Sequence, residues 1–375
     1  MTITPERISI EISTACNLGC GMCFLTGLRQ GKILRKNDYL NKFFDVDLFK
    51  KLIDELSENH LLGEKSSPFS LSFTGGEPFL HPHIFDLLRY AREKKVGVTV
   101  YTNGTLINPL FSRKICEVMP EALMFSVDGP EEVHDKIRGK GNFKKTYEAI
   151  ESIQSQKGVL TAKVPRIYIN TVINNLNVDY LQEILSMAEF LNIDGISFSH
   201  LQWSDSRLTS LAENEFKTRL NWAGFHKSQS TAIKAFEHNL AIIAKDKIEK
   251  LVSQINLIKE RYKYSCLPQA ISMPRFSPFR PDLSEQEIKL WYGKEYSKIN
   301  FCDWVYKWIK IGINGDIQPI CGVIPFSAGN LKEKSLKEIL SCKEIRNFFD
   351  EIKNNGFFYV CQHCCRRPSK SSTIR

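Results

Sequence analysis

The stretch RISIEISTACNLGCGMC, residues 7–23, decides how the rest of the chain is read. Its first half alternates Ile8, Ile10 and Ile12 with polar residues, the two-residue period of a strand with unlike faces. Its second half places Cys16, Cys20 and Cys23 within eight residues, spaced C-x3-C-x2-C. A strand that runs straight into a cysteine-rich loop predicts a site at that strand's end.

Working outward, residues 7 to about 200 alternate short β-rich runs with helical patterns. Strands are predicted at 7–13, 69–74, 96–102, 123–127, 166–172 and 195–199, and amphipathic helices at stretches such as 47–58, 82–95, 143–156 and 178–191. Six β-then-α units predict an α/β fold around a parallel sheet, open or curled into a partial barrel. The polar clusters all fall after strands. Cys16 follows the first, Gly75-Gly76-Glu77-Pro78 the second and Asn103-Gly104 the third. Ser126 and Asp128-Gly129 close the fourth, Asn170 sits late in the fifth, and His200 and Gln202 follow the sixth. In parallel barrels that rim carries the active site.

Composition narrows the setting. A chain of 375 residues that is 42% hydrophobic can bury more than one core. No apolar run approaches the ~20 residues of a membrane span. The opening MTITPERIS lacks the pattern of a secretory signal. Eleven cysteines without an export signal point to metal ligation in a reducing cytoplasm rather than to disulfides. The net charge of +9 is spread along the chain, which fits a solvated surface better than a nucleic-acid stripe.

Residues 201–300 change character. A helical pattern runs from about 231 to 262, with Ile233, Phe236, Leu240, Ile243, Leu251, Ile255 and Ile258 broadly on one face. The proline- and aromatic-rich segment 266–282 reads as a long loop without regular structure, either a lid or substrate-contacting segment or a surface excursion. From residue 302 a small cysteine-bearing module begins. Asn314-Gly315-Asp316 predicts a hairpin turn, and Ser335 with Glu338 has capping-box spacing that should start a helix. The domain organisation read from these shifts is 1–200, 201–300 and 301–375.

The chemistry follows from the thiols. Thiolates are the usual ligands of iron–sulfur clusters, and three of them leave one iron of a four-iron cube open to another ligand. Cys302 and Cys321, with Cys361 and Cys364, form a second and complete set of four. Taken alone, that spacing fits structural zinc about as well as a cluster. Cys365 could replace Cys364 as ligand. Cys116, Cys266 and Cys342 are isolated and read as packed thiols.

With the cysteine loop and the GGEP run both at strand ends, residues 7–200 resemble the radical S-adenosylmethionine (SAM) enzymes. The match continues through Tyr101-Thr-Asn-Gly104, Ser126-Val-Asp-Gly129 and His134-Asp-Lys-Ile-Arg138-Gly139. The C-terminal module resembles the SPASM/Twitch extension of a subgroup. The resemblance implies a partial (β/α)6 barrel with a helical insertion and a small α+β auxiliary-cluster domain. It implies a [4Fe–4S] cluster on Cys16, Cys20 and Cys23, with SAM on the open iron. Gly75 and Gly76 would let backbone approach that cofactor, and Glu77 would accept from its ammonium group. Ser126 and Arg138 match positions that bind its carboxylate in relatives, and Asn103 and Asn170 are further ribose or carboxylate partners. Met22 stands where relatives often carry an aromatic residue. On Cys302, Cys321, Cys361 and Cys364 the resemblance favours one auxiliary iron–sulfur cluster, taken as [4Fe–4S], over zinc.

The implied activity is reductive cleavage of SAM to a 5′-deoxyadenosyl radical that takes hydrogen from a substrate C–H bond. An external one-electron donor such as flavodoxin or ferredoxin would feed the cluster, and the auxiliary cluster would assist electron transfer. A strand that begins at residue 7 leaves no room for a preceding leader-binding domain, which tilts the expectation toward a small-molecule substrate, or toward a peptide delivered by a separate protein. A ribosomally made peptide is the alternative, and nucleic-acid modification ranks behind both. His200, Gln202 and Trp203 are rim candidates for substrate contact, and Asp205, Asp282 and Glu285 are acid–base candidates.

Overall fold

The structure, a computed structural model, describes residues 4–30, 39–59, 61, 70–161, 163–201, 206–221, 270–272, 307–319, 324, 326–356 and 358, with parts of 247–258. Each of the six expected strands forms. They are β1 (Arg7–Ser13), β2 (Leu71–Gly75), β3 (Val98–Thr102), β4 (Ala122–Ser126), β5 (Arg166–Ile173) and β6 (Gly195–His200). They pair in chain order, all parallel. The β1 alternation sorts its two faces. Ile8, Ile10 and Ile12 are fully buried in the main core, while Ser9, Glu11 and Ser13 form a buried polar row on the opposite face.

The connections are helical. Among them are α1 (Phe24–Arg29), α2 (Val46–Asn59), α3 (Ile84–Glu93), α4 (Pro109–Val118), α5 (Glu131–Arg138), α6 (Asn142–Val159), α7 (Leu181–Phe190) and α8 (Ser206–Arg219). In α2 the residues Leu48, Phe49, Leu52, Ile53 and Leu56 recur at three- and four-residue intervals and are buried against the strands. The sequence reading did not mark α4 or α5. In α4, Pro109 follows the cap Asn108, whose side chain accepts from the Phe111 N–H.

Part of the segment read as an irregular lid is a strand instead. Ala270–Ser272 forms β7, which pairs parallel with Gly195–Ser197 of β6. Three residues flanked by prolines are too few to show a strand period. The rest of 266–282 lies outside the described residues, as does most of the 231–262 pattern. Leu251 and Ile258 of that pattern are fully buried.

The C-terminal module continues the same sheet. β8 (Trp308–Ile311) pairs parallel with β1, and the hairpin partner β9 (Asp316–Pro319) and β10 (Gly329–Asn330) follow antiparallel. Among the described residues β10 and β7 are the outer strands, so the sheet is a partial barrel that does not close. Helix α9 (Leu336–Leu340) begins at the expected capping box of Ser335 and Glu338, and α10 (Lys343–Asn355) follows. Glu55 of α2 also accepts from the Leu336 and Lys337 N–H groups at 2.9 and 2.7 Å, so a barrel helix helps to cap a helix of the module. No helix among the described residues is long and apolar enough to cross a membrane.

Candidate active site

The C-terminal ends of β1 and β2 build the cysteine loop together. Gly75 has φ +116°, and a Cβ there would lie 2.1 Å from the Ser13 carbonyl oxygen. A Cβ on Gly76 would lie 2.0 Å from the Ala15 carbonyl oxygen. The two glycines are therefore required by the backbone that leads into Cys16. The Gly76 N–H donates to Ser13 O at 2.6 Å and the Glu77 N–H to Ala15 O at 2.7 Å, which locks the two turns together.

Within the loop, Cys20 is buried and Cys16 and Cys23 are half-buried. The Leu18 N–H approaches Cys16 Sγ at 3.5 Å, and Asn103 Nδ2 lies 4.0 Å from the same sulfur. Cys23 is the residue before α1, whose Leu25 and Leu28 pack on Tyr39 and Leu40. Burial pushes the Cys16 thiol up, and pushes the Cys20 thiol up to about 11 with Arg138 pulling the other way. Metal binding reverses that preference, because the ligand is the thiolate. Among the described residues no group of three or more His, Cys, Asp or Glu is placed to hold a single ion. A cluster asks for a different arrangement, thiolates that each meet a separate corner, and three cysteines on one partly buried loop fit it.

Glu77 is 1% exposed and its carboxylate is occupied by the protein. Oε1 accepts from Thr102 Oγ1 at 2.8 Å and from the Phe79 N–H at 3.2 Å, and Oε2 accepts from the Asn103 N–H at 2.8 Å. Burial pushes its pKa up to about 7 against these donors. Glu77 thus ties the β2 turn to the β3 turn. Asn103 Nδ2 in turn donates to Asn17 Oδ1 at 3.0 Å, and Asn17 donates to Thr105 at 2.8 Å.

On the far side of the loop stands α5. The Gly21 N–H donates to Ile137 O at 3.0 Å, next to Arg138. Arg138 Nε donates to Asp128 Oδ2 at 2.5 Å, and Nη1 lies 4.0 Å from Cys20 Sγ. Asp128 Oδ1 accepts from the Val172 N–H at 2.8 Å, and its own N–H donates to His134 Nδ1 at 3.3 Å. Fully buried, His134 is pushed down to about 4. Ser126 and Asn170 are half-buried and sit side by side in the β4–β5 register. Met22 packs with Val133 and Ile137 of α5, and with Val172, Leu176 and Tyr180.

The structure therefore brings Cys16, Cys20, Cys23, Gly75, Gly76, Glu77, Asn103 and Arg138 into one contiguous network, with Ser126 and Asn170 on the adjoining strand ends. The reading of the sequence assigned no role to Asp128, Thr102 or Asn17. Asp128 was visible only as part of the Ser126–Gly129 match. Cys302, Cys321, Cys361, Cys364, Cys365, Cys266, Gln202, Trp203, Asp205, Asp282 and Glu285 lie outside the described residues, as does the side chain of His200.

The radical SAM superfamily profile matches residues 10–188, and an iron–sulfur cluster-binding SPASM domain matches residues 302–365. The chain carries a radical SAM superfamily domain and an SPASM domain. With those domains come a [4Fe–4S] cluster, SAM and auxiliary iron–sulfur binding. The mycofactocin maturase MftC of Mycolicibacterium smegmatis is 32% identical over 186 residues, 49% of this chain. The chain spans 42% of that maturase's length. The AdoMet-dependent heme synthase of Methanosarcina barkeri is 24% identical over 371 residues, 97% of this chain and 90% of that protein. In fold, the chain resembles Streptococcus suis SuiB bound to S-adenosylmethionine, with TM-score 0.61 and 16% identity over 96% of this chain and 72% of SuiB. It equally resembles anSMEcpe with bound AdoMet, with TM-score 0.61 and 17% identity over 98% and 92% of the two chains.

Proposed function

We propose that this chain is a radical SAM oxidoreductase acting on a small molecule, with one auxiliary iron–sulfur cluster. One observation carries the reading: the three-cysteine loop, the GGEP turn and Arg138 meet at the C-terminal ends of β1, β2 and β4. Bound there, the cluster and SAM supply reductive cleavage to a 5′-deoxyadenosyl radical that removes hydrogen from a C–H bond. Cys16, Cys20 and Cys23 hold the cluster. Gly75 and Gly76 fix the loop, and Glu77 holds the turns around it. Asn103, Ser126, Arg138 and Asn170 bind and orient SAM, the arginine by its fork of donors. Residues 1–200 form the catalytic unit, 201–300 the insertion, and 301–375 the auxiliary unit on Cys302, Cys321, Cys361 and Cys364. An external one-electron donor in a reducing cytoplasm completes the system.

The heme synthase, which aligns along nearly the whole chain, supports a small-molecule substrate. A second reading, peptide modification, draws on MftC, whose match covers about half the chain. It draws also on the fold shared with SuiB, which has been seen bound to its precursor peptide SuiA. Anaerobic reduction of reconstituted protein with SAM should release 5′-deoxyadenosine. Iron-loaded protein that binds SAM yet releases none would overturn the activity. Calorimetry with peptides encoded beside the gene separates the substrate classes: tight binding of one of them replaces the small-molecule reading.

A further inference from the structure

We propose that the Arg138–Asp128 pair sets how readily the cluster on Cys16, Cys20 and Cys23 takes up an electron. Arg138 is the tuning charge and Asp128 the residue that positions it. The inference rests on the cluster assignment above and concerns the cluster itself, before SAM binds.

The geometry is directional. Asp128 is fully buried, and both carboxylate oxygens are engaged, one by Arg138 Nε at 2.5 Å and one by the Val172 N–H at 2.8 Å. The His134 ring accepts the Asp128 N–H at 3.3 Å, which fixes that backbone as well. The carboxylate therefore grips the Nε edge of a guanidinium that is 10% exposed, while Nη1 faces Cys20 Sγ at 4.0 Å. The hydrogen bond from Gly21 N to Ile137 O holds the loop on the last turn of α5, so the approach of Arg138 to Cys20 is set by the backbone as well as by the side chain. A pair meant only to staple α5 to β4 would not need its cation aimed at a ligand sulfur.

The sign follows from charge. One-electron reduction by a low-potential external donor adds a negative charge to the cluster. A nearby fixed cation in a largely dry site favours that state, and a nearby anion opposes it. Removing Arg138 takes away the cation and leaves the buried Asp128 charge uncompensated, so the potential falls. Removing the Asp128 charge alone raises it. Removing both charges restores approximate balance.

The test is a potentiometric titration of the reconstituted full chain without SAM, followed by electron paramagnetic resonance. R138Q should lower the reduced-to-oxidised ratio at fixed potential about tenfold, equivalent to about 59 mV for one electron. D128N should shift it upward, and R138Q/D128N should return close to wild type. R138K, which keeps the charge without the fork, should stay near wild type even where SAM binding weakens. If R138Q does not fold, the double variant against D128N measures the same charge in a neutralised background, and the potential should fall by a similar amount. Iron-loaded variants that all share the wild-type potential refute the inference alone, and so does R138K moving as far as R138Q. A wild-type chain that takes up no cluster sinks the cluster assignment and the inference with it.

Discussion

Replacing Gly76 with alanine tests whether the glycine turn exists to place the cysteine loop. A Cβ at this position would stand 2.0 Å from Ala15 O, 2.7 Å from Ala15 C and 3.1 Å from Thr14 C, all backbone atoms. Non-bonded contacts of a Cβ essentially never fall below 3.0 Å, so Ala15 must retreat by about 1 Å. No rotamer change can relieve the contact. The 2.7 Å hydrogen bond from Glu77 N to Ala15 O is lost in that movement. Overpacking of this kind costs about 1–3 kcal/mol and the hydrogen bond about 1 more, giving about 2–4 kcal/mol. Because Cys16 is the next residue, the first of the proposed cluster ligands moves too. Urea denaturation should show the destabilisation, and iron and sulfide per chain after anaerobic reconstitution should drop severalfold. Gly19→Ala is the control within the same loop, since a Cβ there meets nothing within 4 Å. It should match wild type in both assays. Gly76→Ala with wild-type stability and wild-type iron would show that the turn does not hold the loop as described.

Three further outcomes follow from buried charge and ligand count. The Glu77 pKa, raised by burial to about 7, means that its share of stability is full below about 4.5 and is lost as pH rises through about 7. Stability curves of wild type and Glu77→Gln should therefore diverge across that window by about 3 kcal/mol in this sense, and parallel curves would contradict it. Lys310→Met should destabilise the chain by about 3 kcal/mol at neutral pH, because it strips the main positive partner from Glu11, which is 3% exposed. Adding Glu11→Gln should recover most of that loss. Reconstituted protein should hold about eight irons per chain if both cysteine sets bind cubes, whereas about four irons with one zinc would give the C-terminal set to structural metal.

The sheet was legible because its signals are local. The β1 alternation, and the polar residues that end each strand, can be read without knowing what lies beside them. β7 was not legible, since Ala270–Ser272 is too short to show a period and is a strand only because β6 offers an edge. The site divided in the same way. Cys16, Cys20 and Cys23 announce themselves by spacing. Asp128 does not, because an aspartate before a glycine reads as turn chemistry until Arg138, ten positions on, is folded back onto it. The glycines were found for an incomplete reason. Their lack of a side chain is required by Ser13 and Ala15, which no sequence window around residue 75 contains.

The same distinction bears on how the C-terminal module meets the barrel. The sequence suggests separate units joined through a hundred intervening residues. In the structure β8 adds directly to β1, with Ile8 opposite Ile309 and Ile10 opposite Ile311. The junction is more than a backbone ladder. Trp308 Nε1 donates to Ser9 Oγ at 2.8 Å, and Ser9 pairs with Ser72 at 2.8 Å. Glu11 takes Lys310 Nζ at 3.2 Å, the Ile313 N–H at 3.3 Å and the Tyr39 hydroxyl at 2.5 Å. Burial alone would raise the Glu11 pKa, and these donors hold it below the usual carboxylate range. Glu11 lies two residues before Ser13, whose carbonyl fixes Gly76, and its side chain runs 3.1 Å from where a Gly75 Cβ would be. One buried carboxylate, Glu11, therefore touches both the β8 side of the C-terminal module and the backbone beside the GGEP turn.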